Sequence, residues 1–190
     1  MNRKTDSIHI QPTIENDDLA KLLGGQKKKS LSKSIRKKVR TARQKLNKLI
    51  KPSVHYRIVK PSAMDNDVVQ LDETVEFSST QLAKTLKNAE EIVCFVGTIG
   101  TGVENEINRL MGKQQLAEAY ILDAMASVAV ENMIDRFQDL MENKCSAEDR
   151  TVTLRFSPGY WDWPVTQLKT LLDNFDSMVI DVDLLDSCLM

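Results

Sequence analysis

The densest chemistry in this chain lies in ten consecutive residues, Arg155-Phe156-Ser157-Pro158-Gly159-Tyr160-Trp161-Asp162-Trp163-Pro164. A guanidinium is a planar fork of N–H donors that can grip a carboxylate with two parallel bonds, so Arg155 is a candidate anchor for an acid-bearing small molecule. Tyr160 adds a flat ring and a hydroxyl close by. Pro158-Gly159 suits positions i+1 and i+2 of a type II turn. Asp162 suits the cap of a following helix, with Pro164 in its first turn. Such a cluster does one of two jobs. It packs a strand against a helix as an aromatic corner, or it offers a ligand a rigid turn rimmed by a cation and rings.

A second constellation is Gly97-Thr98-Ile99-Gly100-Thr101-Gly102, between an apolar run and a helix start. That is where a phosphate loop would stand. However, position 105, where a dinucleotide fingerprint has its third glycine, is Asn105, and no acidic residue ends a clear second strand to hold a ribose. The segment is either a tight structural turn or a backbone contact for a ligand.

Other chemistries lack their parts. His9 and His55 are the only histidines, and neither has metal-ligand spacing or a hydrolase signature around it. There is no GxxxxGK[ST] loop. Cys94, Cys145 and Cys188 are scattered and odd in number, which fits a reducing compartment rather than a disulfide framework or a zinc site. The start, MNRKTDSIHIQPTIENDDL, has no apolar core of a signal peptide, and no apolar run is long enough for a membrane span. A cytoplasmic protein with no metal, no catalytic residue of its own and no membrane is the expectation.

The elements that must position these residues follow from periodicity. Residues 1–16 read as a loose lead-in. Residues 17–23 suggest a short helix stopped by Gly24-Gly25. In the basic stretch that follows, Leu31, Ile35, Val39, Ala42, Leu46 and Leu49 form one helical stripe, with Ser30 or Ser32 as cap and Pro52 as stop. Residues 54–60 alternate as a strand, 61–67 form a turn-rich connection, and 68–77 suggest one or two short strands. Ser79 or Thr80 caps a helix through Leu82, Leu86 and Ala89. Residues 91–96 suit a central strand buried on both faces. Residues 114–143 are strongly helical. Residues 151–156 read as a strand, about Asp162 to Phe175 as a helix, and 178–185 as a last strand. The expected fold is α+β, a mixed, largely antiparallel sheet packed with helices. Residues 17–52 would be a basic helical arm on a body of residues 53–190.

The 190 residues carry 26 basic and 27 acidic side chains, yet the charge is split. Residues 1–60 hold 17 Lys/Arg against 4 Asp/Glu, and residues 61–190 hold 9 against 23. Residues 1–60 are therefore +13 and residues 61–190 are −14. Such an arm could bind nucleic acid or an acidic protein partner. Its apolar stripe instead demands a packing surface, and no DNA-reading motif accompanies it.

RFSPGYWDWP resembles the R-x-x-x-G-Y signature of the activation domain of cobalamin-dependent methionine synthase, and more closely the free-standing activation-domain-like proteins of anaerobic bacteria. Four further segments are similar in the same order: KPSVHYRIV, EIVCFVGTIGTGVENEI, ILDAMASVAVENMIDRF and VDLLDSCLM. The resemblance implies a domain that binds S-adenosylmethionine and supplies its methyl group for reductive methylation of oxidised cobalamin. The electron would come from flavodoxin or a similar reductant. It implies a ligand site at Arg155, Ser157, Gly159 and Tyr160, with Glu131 on the Ala-rich helix as the family's glutamate. An acidic body is a sensible host for a cationic methyl donor and a poor one for nucleic acid.

Three departures shape that expectation. The chain has no D-x-H-x-x-G cobalamin motif, so it would act in trans on a separate corrinoid-carrying methionine synthase subunit. It would then be a component of a methyltransferase activity rather than a self-sufficient enzyme. Its sequence stops at Met190, where the family continues with a Pro and a Lys-Ser-Val-Ser-like strand, so the last strands are expected to be missing. Trp161 stands where the family has a small residue.

Overall fold

The computed structural model describes residues 4–23, 33–71, 75–176, 180 and 182. The fold is mixed α+β. The strands β1 (Asp6–Ile8), β2 (Ser53–Val59) and β6 (Ile92–Thr98) form one three-stranded sheet in the order β1-β2-β6. The strands β3 (Ala63–Met64), β4 (Val68–Gln70) and β5 (Glu76–Ser78) form a second. This second sheet is antiparallel throughout, with Met64 opposite Val69 and Val69 opposite Phe77. The helices are α1 (Asn16–Leu22), α2 (Lys33–Leu49), α3 (Thr80–Leu86), α4 (Gly102–Gly112), α5 (Leu116–Ser146) and α6 (Leu168–Leu172). A 3₁₀ turn, Val165–Gln167, leads into α6.

The chain divides into two compact units. The first comprises residues 1–8, 55–96 and 140–190, and the second 9–54 and 97–139.

In the first unit, Val69, Phe77, Leu82, Leu86, Cys94, Val96, Trp163, Leu172 and Phe175 are buried in one apolar cluster. The helix α3 starts at Ser79 because its extended backbone and side-chain oxygen suit an N-cap: Oγ accepts from Leu82 N at 3.0 Å. The β1 strand is a departure from the loose lead-in that residues 1–16 suggested. Pairing with β2 satisfies its backbone, and Ser7 Oγ lies 2.7 Å from His55 Nδ1. Burial pushes the His55 imidazole below its ordinary pKa, as befits a packing residue.

In the second unit, the stripe of α2 is graded. Ile35 is exposed, Val39 half-buried, and Ala42 and Leu46 fully enclosed. Burying a leucine as deeply as Leu46 stabilises by about 1.5–3 kcal/mol. The polar flanks of the same helix reach out: Lys45 Nζ donates to Glu106 of α4 at 2.7 Å, Lys38 pairs with Glu118, and Arg43 Nη1 donates to Ile14 O at 2.7 Å. The apolar face of α5 within this unit is Ala119, Leu122, Met125, Ala129, Met133 and Phe137.

Three further sequence expectations need correction. Residues 151–156 form no strand. Strand-forming side chains do not make a strand unless another backbone takes the ladder bonds. Leu154 is left largely exposed, and Thr153 Oγ1 donates to Leu154 O at 2.9 Å. The helix expected from Asp162 to Phe175 shrinks to the 3₁₀ turn and α6, because Asp162, Trp163 and Pro164 are used in a turn. Finally, β6 alternates in burial and ends its sheet among the described residues, rather than lying centrally with both faces covered. The last strand candidate, 178–185, lies outside the described residues except for Ile180 and Val182, which belong to no strand. The cap at Ser30 or Ser32 and the Gly24-Gly25 stop also lie outside them.

Candidate functional site

The site is built on the loop 155–163 of the first unit. Ser157-Pro158-Gly159-Tyr160 closes as a turn in which Tyr160 N donates to Ser157 O at 3.1 Å. Gly159 stands at φ +99°, the left-handed requirement of position i+2 in a type II turn. A second bond narrows the loop from the other side, with Gly159 N donating to Trp163 O at 2.8 Å. Trp163 N in turn donates to Tyr160 O at 3.0 Å.

Two side chains fasten this turn to the body. Trp163 is only 7% exposed and meets Phe77 edge-on, with ring centroids 5.1 Å apart. Its Nε1 donates to Gln167 Oε1 at 2.9 Å, and the same oxygen accepts from Ser78 N at 3.0 Å. Asp162 does not cap the helix that follows it. Its carboxylate crosses to α3, accepting from Ser79 Oγ at 2.6 Å and Thr80 N at 2.8 Å, with longer bonds from Gln81 N. The bond from Ser79, reinforced by the amides of Gln81 and Thr80, holds this carboxyl below its ordinary pKa. Ser79 Oγ thus donates to Asp162 while accepting from Leu82 N, so one hydroxyl joins loop and helix.

What remains faces outward. Tyr160 is 65% exposed and Trp161 67%. Arg155 and Ser157 are exposed too, and Ser157 Oγ donates to Pro158 O at 3.3 Å. Trp161 stands at φ +50°, and its ring leans on Phe156 with centroids 5.2 Å apart and planes at 50°. Arg155, Ser157, Gly159 and Tyr160 therefore share one loop. Glu131 is an exposed residue of α5 and belongs to the second unit.

The sequence pointed to the turn and its aromatic content. It did not point to Gln167, Ser79 or Phe77 as the residues that hold the loop. A capping serine at position 79 was visible, but nothing local said that Asp162 would join it from 83 residues away.

The glycine-rich segment 97–102 is a close-packed turn. Gly100 stands at φ +80°, and its N–H donates to Thr98 Oγ1 at 3.0 Å. Lys51 N donates to Ile99 O at 2.8 Å. A Cβ on Gly102 would lie 2.9 Å from Leu49 O. The C-terminal end of α2 therefore packs closely against the first residue of α4. Among the described residues no three His, Cys, Asp or Glu side chains gather as a metal site, and no helix is long and apolar enough to cross a membrane.

The chain matches no known family model and no curated protein.

Proposed function

We propose that this chain is an S-adenosylmethionine-binding reactivation subunit with an activation-domain-like fold. It would act in trans on a separate corrinoid-carrying methionine synthase, with a flavodoxin-like protein or another reductant as electron source. One observation carries the reading: the type II turn at Ser157–Tyr160, with its left-handed glycine, lies in a loop that exposes Arg155, Tyr160 and Trp161 while Asp162 and Trp163 fasten it down. A loop whose only purpose was packing would bury its rings. The residues present suit the ligand. A guanidinium matches its carboxylate, aromatic faces suit its sulfonium and purine, and the acidic half of the chain favours a cation. S-adenosylmethionine supplies the methyl group. Arg155, Ser157, Gly159 and Tyr160 would hold and orient it, and Glu131 is the further residue that the family resemblance nominates. The compartment implied is the cytoplasm.

Calorimetric titration of S-adenosylmethionine into the protein and an Arg155→Ala variant tests this. Saturable binding that weakens in the variant is expected. Equal binding in both would remove the site assignment, and no binding by the folded protein would remove the function.

A second reading rests on α2. Lys38, Arg43 and Lys45 are engaged within their unit, but Arg36, Lys37, Arg40 and Lys48 are exposed. This basic face suits nucleic acid or an acidic protein partner, and such binding would weaken steeply with salt. A gel shift on random duplex and single-stranded DNA at low salt separates the readings.

A further inference from the structure

We infer that Trp161 is a stacking platform for a purine ring, so that the loop selects adenosyl ligands over the bare amino acid; the inference rests on the reading of this loop as the ligand site. Three observations carry it. First, the two tryptophans of this loop are treated oppositely. Trp163 is buried on Phe77, whereas Trp161, two residues earlier, is held out in solvent. Second, Trp161 occupies the left-handed region at φ +50°, which side-chain-bearing residues rarely adopt. Non-glycine residues in such conformations persist where the surroundings over-determine them, and they cluster at ligand sites. Here the surroundings are the Gly159–Trp163 bond on one side and the Asp162 clamp on α3 on the other. Third, the ring is braced. Phe156, which packs against the core of the first unit, backs it at 5.2 Å. A braced ring loses little freedom when a ligand stacks on it, so more of the stacking energy appears as affinity.

The indole face also attracts cations, and S-adenosylmethionine offers both a sulfonium and a purine. S-adenosylhomocysteine keeps the ring without the sulfonium charge and so separates the two. The test uses the full chain with S-adenosylmethionine, S-adenosylhomocysteine, adenosine and methionine. Tryptophan emission follows the exposed ring, and calorimetry gives the affinities. Emission should be quenched by the three purine compounds and not by methionine. Trp161→Gly suits the positive φ, and unchanged emission from buried Trp163 reports that it is folded. It should weaken S-adenosylmethionine and S-adenosylhomocysteine roughly tenfold or more, with partial recovery in Trp161→Phe. If Trp161→Gly binds as well as the parent while Arg155→Ala does not, the platform is overturned and the proposed function stands. If S-adenosylmethionine alone binds and the purine compounds lacking a sulfonium do not, purine stacking is overturned in favour of cation recognition. If no purine compound binds the parent protein, both the platform and the proposed function fall.

Discussion

Gly159→Ala is the sharpest probe of the loop, because sterics and backbone conformation separate cleanly there. A Cβ built on Gly159 would meet only Val165 Cβ and Cγ2, both at 3.7 Å, which is ordinary contact. No clash arises, so the whole cost is that of holding an alanine at φ +99°. That cost is about 1–2 kcal/mol for an L-residue in left-handed backbone. If the turn yields instead, it gives up the bonds from Tyr160 N to Ser157 O and from Gly159 N to Trp163 O. Ligand affinity would then fall together with stability. Urea unfolding followed by the emission of Trp163, whose ring sits on Phe77, reads the first unit directly. We expect a loss of about 1–2 kcal/mol at unchanged m, and a smaller loss for Gly159→Asn, since Asn tolerates positive φ better. A loss under about 0.3 kcal/mol for the alanine variant, or an asparagine variant less stable than it, would refute the turn assignment.

Further expectations follow from the polar contacts. Glu106 accepts from Arg109 and Lys45, and these bonds hold its carboxyl at about 2. Its contribution is therefore complete above pH 4.5 and lost as the pH falls through 2. Discounted for solvent screening, Glu106→Gln should cost about 1 kcal/mol at pH 7, with the difference from the parent closing towards pH 2 in acid unfolding curves. Asp162→Ala removes the clamp on α3, so thermal unfolding of the first unit should come at a lower temperature. Because the folded pKa of Asp162 is depressed, that gap should narrow as the pH drops below 3.8, the ordinary value of this carboxyl. Arg57 Nη1 donates to both the carbonyl and the side-chain oxygen of the fully buried Asn174. Arg57→Ala leaves these acceptors unpaired and should cost about 1–3 kcal/mol in urea unfolding.

Features governed by neighbours in sequence were legible without coordinates. The stripe Val39, Ala42, Leu46 turns inward because helical spacing repeats the same face every three or four residues. Ser79 caps α3, and Pro158-Gly159 makes its turn, because a short polar side chain and a glycine each act over three or four residues. The misread segments depended on distant backbone. TVTLRF has the residues of a strand but forms none, while the polar lead-in gained a strand because β2 had an edge to pair. Asp162 carried the chemistry of a helix cap, and the sequence supplied a helix right after it. The fold gave that carboxylate to α3 instead, where the Ser79 hydroxyl and the amides of Thr80 and Gln81 converge on it. A residue type states which bonds a side chain can make. Which partner comes within 3 Å is set by how separate stretches of chain pack, and that choice decided that Trp163 goes into the core while Trp161 stays out.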